Sequence, residues 1–325
     1  MERPQFPDLV AGIKSSGRIA AEDVLRLRQH IFGGRTIAQE QIEALLAIDN
    51  ACADKGSEWT DLFAEAIACF LVEQQEPQGY VDDAKTEWLI EHLTRDGRIE
   101  TSTELEAIIG VVEKAKKSPD RLMRFALETV RDTVLNGSGP ARRGGAYKPG
   151  VVTEADVALL RRVLYAPGGD QHIAVTRAEA EILFDINDAT AEAENHPSWS
   201  DLFVKAAANS VLFYSGYAVP TREEALRREQ WLDEPADRGA FLLRMGEVIA
   251  RVFGAYKLES PSNSDVTIDE HTAMAHQVTE EEAGWLLARL QRDGKLHANE
   301  KALLLFLREH STQIHPVLKP ALEQV

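Results

Sequence analysis

Only two cysteines, Cys52 and Cys69, occur in 325 residues, too few for a disulfide framework. Both fall on apolar helix stripes and are expected as buried, reduced thiols. Cations are short as well: 36 Lys and Arg face 53 Asp and Glu, a formal net charge of −17 at pH 7. Nucleic-acid binding needs clustered Lys and Arg to neutralise phosphates, so no nucleic-acid partner is expected. The excess of carboxylates gives an acidic surface suited to cations or to a basic partner. Long apolar runs are missing. The runs at 108–112 and 303–307 are far too short to span a bilayer, and no apolar leader follows MERPQFPD, so the expectation is a cytoplasmic protein with no transmembrane segment. Alternating β-branched stretches are scarce while Ala, Leu, Glu and Arg dominate, which predicts an all-α fold. There is no Gly-rich loop ending in Lys-Ser or Lys-Thr, no Gly-x-Ser-x-Gly elbow and no paired-histidine metalloprotease helix. A non-enzymatic protein is therefore expected, with a metal-dependent hydrolase as the outlying alternative.

What the chain does contain is one passage written twice. EALLAIDNACADKGSEWTDLFAEAIA, within residues 42–70, recurs as EILFDINDATAEAENHPSWSDLFVKAAA, within 180–211. Stretches 22–32 and 155–165 match at helical spacing, as do 88–97 with 285–294 and 125–130 with 320–325. Between the copies lies NGSGPARRGGAYKPG, residues 136–150, whose Gly, Pro and cations (Arg142, Arg143, Lys148) read as a linker. Two tandem helical-bundle domains follow, 1–135 and 151–325. The second carries an insertion at about 218–277, roughly 57 residues by the spacing of Trp199 and Trp285 against Trp59 and Trp88.

Trp59, Trp88, Trp199 and Trp285 occupy duplicated positions and are expected as core anchors. Trp231 lies in the insertion without a counterpart, and so becomes a candidate for an interface. Phe241, Met245, Ile249 and Phe253 share an apolar helical face there that needs either a core or a protein partner to cover it. Five of the second domain's seven histidines, His271, His276, His297, His310 and His315, crowd its end; the spacing of His271 and His276 does not stack them on one helix face, so exposed, unconnected rings are expected.

Two loops combine an Asp-Gly pair with a later glutamate: Asp96-Gly97 with Glu104, and Asp293-Gly294 with Glu300. An acid, a turn glycine, an apolar residue and a later carboxylate form the centre of an EF-hand loop, which would make these four acids candidate ligands for a divalent cation. The preceding ligand positions are filled by His92 and Thr94 in one loop and Arg289 and Gln291 in the other, so the units are degenerate. Their main expected role is to turn the chain and start a helix, with Ser102 or Asn299 as cap. A further repeated pair, Asp49-Asn50 and Asn187-Asp188, puts a polar group on each apolar stripe. It is expected to bond to backbone at the start of the next helix.

Helix, short Asp-Gly loop and helix with a glutamate after the turn, in acidic units near 130 residues, resembles the TerB-like family of tellurite-resistance helical domains. The matching pieces are Asp96-Gly97 with Glu104 and Asp293-Gly294 with Glu300. Degenerate openings precede Glu40 and Glu43 at Gly33-Gly34, and precede Glu179 and Glu181 at Gly168-Gly169-Asp170. The resemblance covers most of the chain as two copies. It implies about seven helices per domain, a cytoplasmic non-enzymatic role in stress responses and divalent-cation binding through acidic loop residues. The expectation is an adaptor that binds a protein partner, the alternative a divalent-metal binder or sensor.

Overall fold

The computed structural model describes residues 5–142, 147–166, 175–212, 277–292, 294–311 and 313–325. The described residues are mostly helical, and none of their helices is long and apolar enough to cross a membrane. The chain divides into two compact units, Met1–Ala206 and Ala207–Val325.

In the first unit, α1 (Phe6–Ser16), β1 (Arg18–Ile19), α2 (Ala21–Ile31), α3 (Gln39–Ala51), β2 (Asp54–Lys55) and α4 (Ser57–Ala68) follow in order, and α4 runs on as a π-helical turn over Cys69–Gln74. Next come α5 (Asp83–Leu93), α6 (Ser102–Lys114), α7 (Asp120–Asn136), a 3-10 turn at Pro140–Arg142, α8 (Glu154–Leu164) and α9 (Arg177–Thr190). Helix α10 (Ser198–Leu212) runs across the boundary. The second unit holds β3 (Gln277–Val278), α11 (Glu280–Leu290), α12 (Ala298–His310), β4 (Gln313–Ile314), a 3-10 turn at Pro316–Leu318 and α13 (Lys319–Leu322).

The core of the first unit forms where a helix is apolar nearly all round. In α6, Leu105, Ala107, Ile108, Ile109, Val111 and Val112 are all buried, the pattern of a helix enclosed on several sides. It packs most extensively on α4, whose Trp59, Leu62, Phe63 and Ile67 are wholly buried, and also touches α7 and α8. Burial of each such Leu, Ile or Phe stabilises the fold by about 1.5–3 kcal/mol. Helix α7 is amphipathic, with Leu122, Ala126, Leu127, Val130 and Val134 on one stripe. It ends at Gly137, where φ is +74° and an added Cβ would lie 2.5 Å from the carbonyl oxygen of Tyr147. Only glycine fits that close return of the chain.

The strands are two-residue parallel pairs, β1 with β2 and β3 with β4. A single parallel bridge joins Tyr80 to Lys117. Parallel pairing requires a crossover between its strands, and here each crossover is a helical hairpin: α2–α3, α11–α12 and α5–α6.

The described part of the expected linker, residues 136–142 and 147–150, does not form a free tether. The Arg142 side chain is 1% exposed and pairs with the fully buried Asp156 at 2.8 Å, while its Nη2 also donates to the carbonyl of Val151 at 2.6 Å. The backbone of Tyr147 and Gly150 returns to Gly137 and Val134. Helices α8 and α9, expected to open a separate second domain, pack on α7, and α8 also on α6. The apolar faces of the two expected copies are thus shared, and the first compact unit extends to Ala206 instead of ending near 135.

Other side chains also depart from expectation. Trp59 and Trp199 are buried core anchors, but Trp88 and Trp285 are only half-buried, and Trp88 stacks on His92 with ring centroids 4.3 Å apart. Cys52 is buried as expected, Cys69 only partly, and both are free thiols. Helix α1 went unread in the sequence, although Pro7 in its first turn and the buried Leu9 and Ile13 carry the signal.

Candidate functional site

The Asp96-Gly97 loop is a tight two-residue hairpin. Asp96 and Gly97 both have positive φ, +52° and +74°, as a type I′ turn requires. Arg95 N–H donates to the Arg98 carbonyl at 3.0 Å, and Arg98 N–H to that of Arg95 at 2.9 Å. Glu104 turns back onto the start of its own helix. Its Oε2 accepts N–H bonds from Glu100 at 2.8 Å and Thr101 at 3.0 Å, while the Thr101 hydroxyl accepts the N–H of Glu104 at 3.2 Å. This is a capping box, with Thr101 and not Ser102 as cap. Burial pushes the Glu104 carboxyl above its ordinary range, and the two amides partly offset that rise.

Glu300 has the same arrangement: it is buried, and its Oε2 accepts the N–H of His297 at 2.7 Å, His297 rather than Asn299 being the cap. A cation at either loop would compete with backbone amides for that oxygen. Among the described residues no three His, Cys, Asp or Glu side chains gather as a metal-binding group. Asp293, His271 and His276 lie outside the described residues, as do Trp231, Phe241, Met245, Ile249 and Phe253 and nearly all of the insertion.

Asp49 is 5% exposed on α3. Its Oδ1 accepts the indole N–H of Trp59 at 2.7 Å and lies 2.7 Å from the Lys55 ammonium. Its partners are two side chains, not the helix-start backbone expected from the sequence. Asp49 and Lys55 also lie near enough to the Glu104 carboxyl to add small opposing effects, the one raising and the other lowering its pKa, beside the larger effect of burial. Asn187 is likewise buried.

The open surface lies at the other end of the α5–α6 hairpin. A groove of about 600 Å³ is lined by Pro77, Tyr80, Val81 and Pro119 together with the charged Asp82, Asp83, Lys117, Asp120 and Arg121. One wall is the loop before α5, held from below by Lys85. That buried ammonium donates to the carbonyls of Gln75 at 2.9 Å, Pro77 at 2.7 Å and Tyr80 at 2.7 Å. Burial pushes its pKa down, against the opposing pull of Asp82 and Glu76. The other wall is the start of α7. Val81 N–H donates to the Lys117 carbonyl at 3.0 Å, and Arg121 ties the two helix starts together through the Asp83 carboxylate at 3.2 Å and its carbonyl at 2.8 Å. Sequence reasoning missed this groove, because prolines and charges paired 38 residues apart leave no local motif; a signal lay only in the turn residues Pro77, Gly79 and Pro119 on either side of the hairpin.

No protein-family model, curated protein or solved structure matches this chain.

Proposed function

We propose that the chain acts by binding, as an adaptor for a protein partner in a stress-related pathway, with two tandem TerB-like copies as its framework. One observation carries this reading. The polar groups with the look of chemistry are already committed within the fold: Glu104 to two amides, Asp49 to Lys55 and Trp59, Asp156 to Arg142, and Lys85 to three carbonyls. The groove between the starts of α5 and α7 instead offers an apolar lining with charges among it, the make-up of a protein-binding surface. The matched passages around Trp59 and Trp199, both buried at the start of their helices, support the duplication.

A photo-crosslinking residue placed at exposed Lys117 in the intact chain tests the reading against the same residue at Arg98, on the exposed turn at the far end of the hairpin. A discrete protein adduct from position 117 alone is expected. Equal labelling from both positions, or none from 117, overturns the groove as the binding surface. Calorimetric titration of chelated protein with Ca²⁺, Mn²⁺ and Zn²⁺ tests the metal-binding alternative: an isotherm abolished by Glu104→Gln would favour it over the adaptor.

A further inference from the structure

We propose that the chain is built from four copies of one helical hairpin, two within each of the larger copies, and that each hairpin is closed by a backbone clasp that makes it open as a single unit. In three of the hairpins the clasps recur in nearly the same register. Arg18 pairs with Asp54 and Ile19 with Lys55, and Gln277 pairs with Gln313 and Val278 with Ile314, always 36 residues apart. Tyr80 pairs with Lys117, one residue further. In the remaining hairpin, α8–α9, His196 N–H donates to the Val152 carbonyl at 2.9 Å, the bond that His315 makes to Val278 at 3.2 Å.

The caps repeat with the clasps. Each first helix is preceded by a buried β-branched residue, Ile19, Val81, Val152 or Val278, and then at once by its cap, Ala20, Asp82, Thr153 or Thr279. Each second helix closes on itself in the same way. The side chain three residues after the cap accepts the cap's own N–H: Gln41 from Ala38 at 2.8 Å, Glu104 from Thr101 at 3.0 Å, Glu179 from Thr176 at 2.8 Å and Glu300 from His297 at 2.7 Å. The third hairpin is longer than the fourth by seven residues, five between its two caps and two between its second cap and the clasp, so the length varies in connections while both helix starts are kept.

A helical hairpin does not need any of this. Two antiparallel helices leave their ends side by side, but nothing in that geometry makes the entering and leaving segments pair in parallel, or fixes where. The clasp ties the residue before the first helix to the segment after the second. Neither helix can then leave without breaking the bond that holds the other, which makes the hairpin a cooperative unit.

Native-state hydrogen exchange of the intact chain tests the clasp. The amides of Val81, His196 and His315 are expected to exchange with the same denaturant dependence as the helices of the hairpins they close; exchange at loop rates while those helices stay protected overturns it. A second test separates copying from coincidence. A glycine inserted after Gly97, in the kind of connection that is longer in the third hairpin, is expected to leave the thermal midpoint near that of the parent. The same insertion between Val81 and Asp82 is expected to lower it and to abolish protection of α5. If the turn insertion is as damaging as the clasp insertion, the four-copy proposal fails.

Discussion

Removing the Asp49 carboxylate gives the sharpest energetic test of how the first unit is held together. In Asp49→Ala the Trp59 indole N–H, wholly buried, loses its acceptor, and the Lys55 ammonium, whose side chain is 13% exposed, loses its counter-charge. An unsatisfied buried donor costs about 1–3 kcal/mol. Breaking a buried ion pair from one side costs about 3–5 kcal/mol. Lys55 retains some access to water and can rehydrate, so the combined loss should sit near the lower end, about 3 kcal/mol. Asp49→Asn keeps an oxygen for the indole and loses only the charge, for which about 1–2 kcal/mol is expected. The double variant Asp49→Ala with Lys55→Met should recover part of the loss by removing the stranded cation. Because the chain has two compact units, global unfolding need not be two-state, and native-state hydrogen exchange in α3 and α4 is the suitable readout. A loss under about 0.5 kcal/mol in Asp49→Ala, or a double variant as unstable as the sum of the two singles, would show that the buried acid does not anchor α3 to α4.

Arg142→Met should destabilise the first unit by about 3–5 kcal/mol, since it leaves the buried Asp156 without its cation; urea unfolding followed by circular dichroism checks it, and a midpoint equal to the parent's would refute the reading of Arg142 as part of the packed core. Glu104 has a raised pKa in the folded chain, so its contribution is fully present below the ordinary carboxylate range and is lost as pH rises through its folded value. The stability of the parent relative to Glu104→Gln should therefore fall as pH rises above the ordinary carboxylate range, and a difference that stays constant or grows there would contradict the burial argument.

Helical class was legible because Ala, Leu, Glu and Arg dominate while alternating β-branched stretches are scarce; the two-copy pattern rests on side-chain identity repeated at long range, Trp59 with Trp199 and Asp96-Gly97 with Asp293-Gly294. The fourfold pattern was not, because what recurs is a role filled by different residues. Asp23, Asp156 and Glu282 all accept the N–H of their cap, whereas at the same place Lys85 reaches down to three carbonyls and leaves capping to Asp82. The linker was misread for the opposite reason. Gly and Pro in 136–150 mark a sharp return of the chain as readily as a free tether, and only the burial of Arg142 against Asp156, 14 residues on, decides between them. Trp88 and Trp285 took duplicated positions without taking core ones, because a helix repeat fixes the angle of a side chain but not what packs above it.

The same acids carry both the family resemblance and the fold, and their geometry weighs the two uses. A glutamate one turn into the exiting helix is where an EF-hand places its last ligand and also where a capping box places its acceptor. Spacing alone cannot separate these, because a glutamate three residues after the cap serves both. The atoms facing the oxygen do separate them. Gln41, Glu104, Glu179 and Glu300 all turn back to the N–H of their own cap, and one of the four is an amide, which keeps the acceptor while losing the charge a cation would prefer. An interchange of amide and acid at one structural position is what a hydrogen-bond role tolerates, so the repeated glutamates are accounted for by helix starts. The recurrence of these glutamates is then a demand of the hairpin, whose second helix starts the same way in all four places.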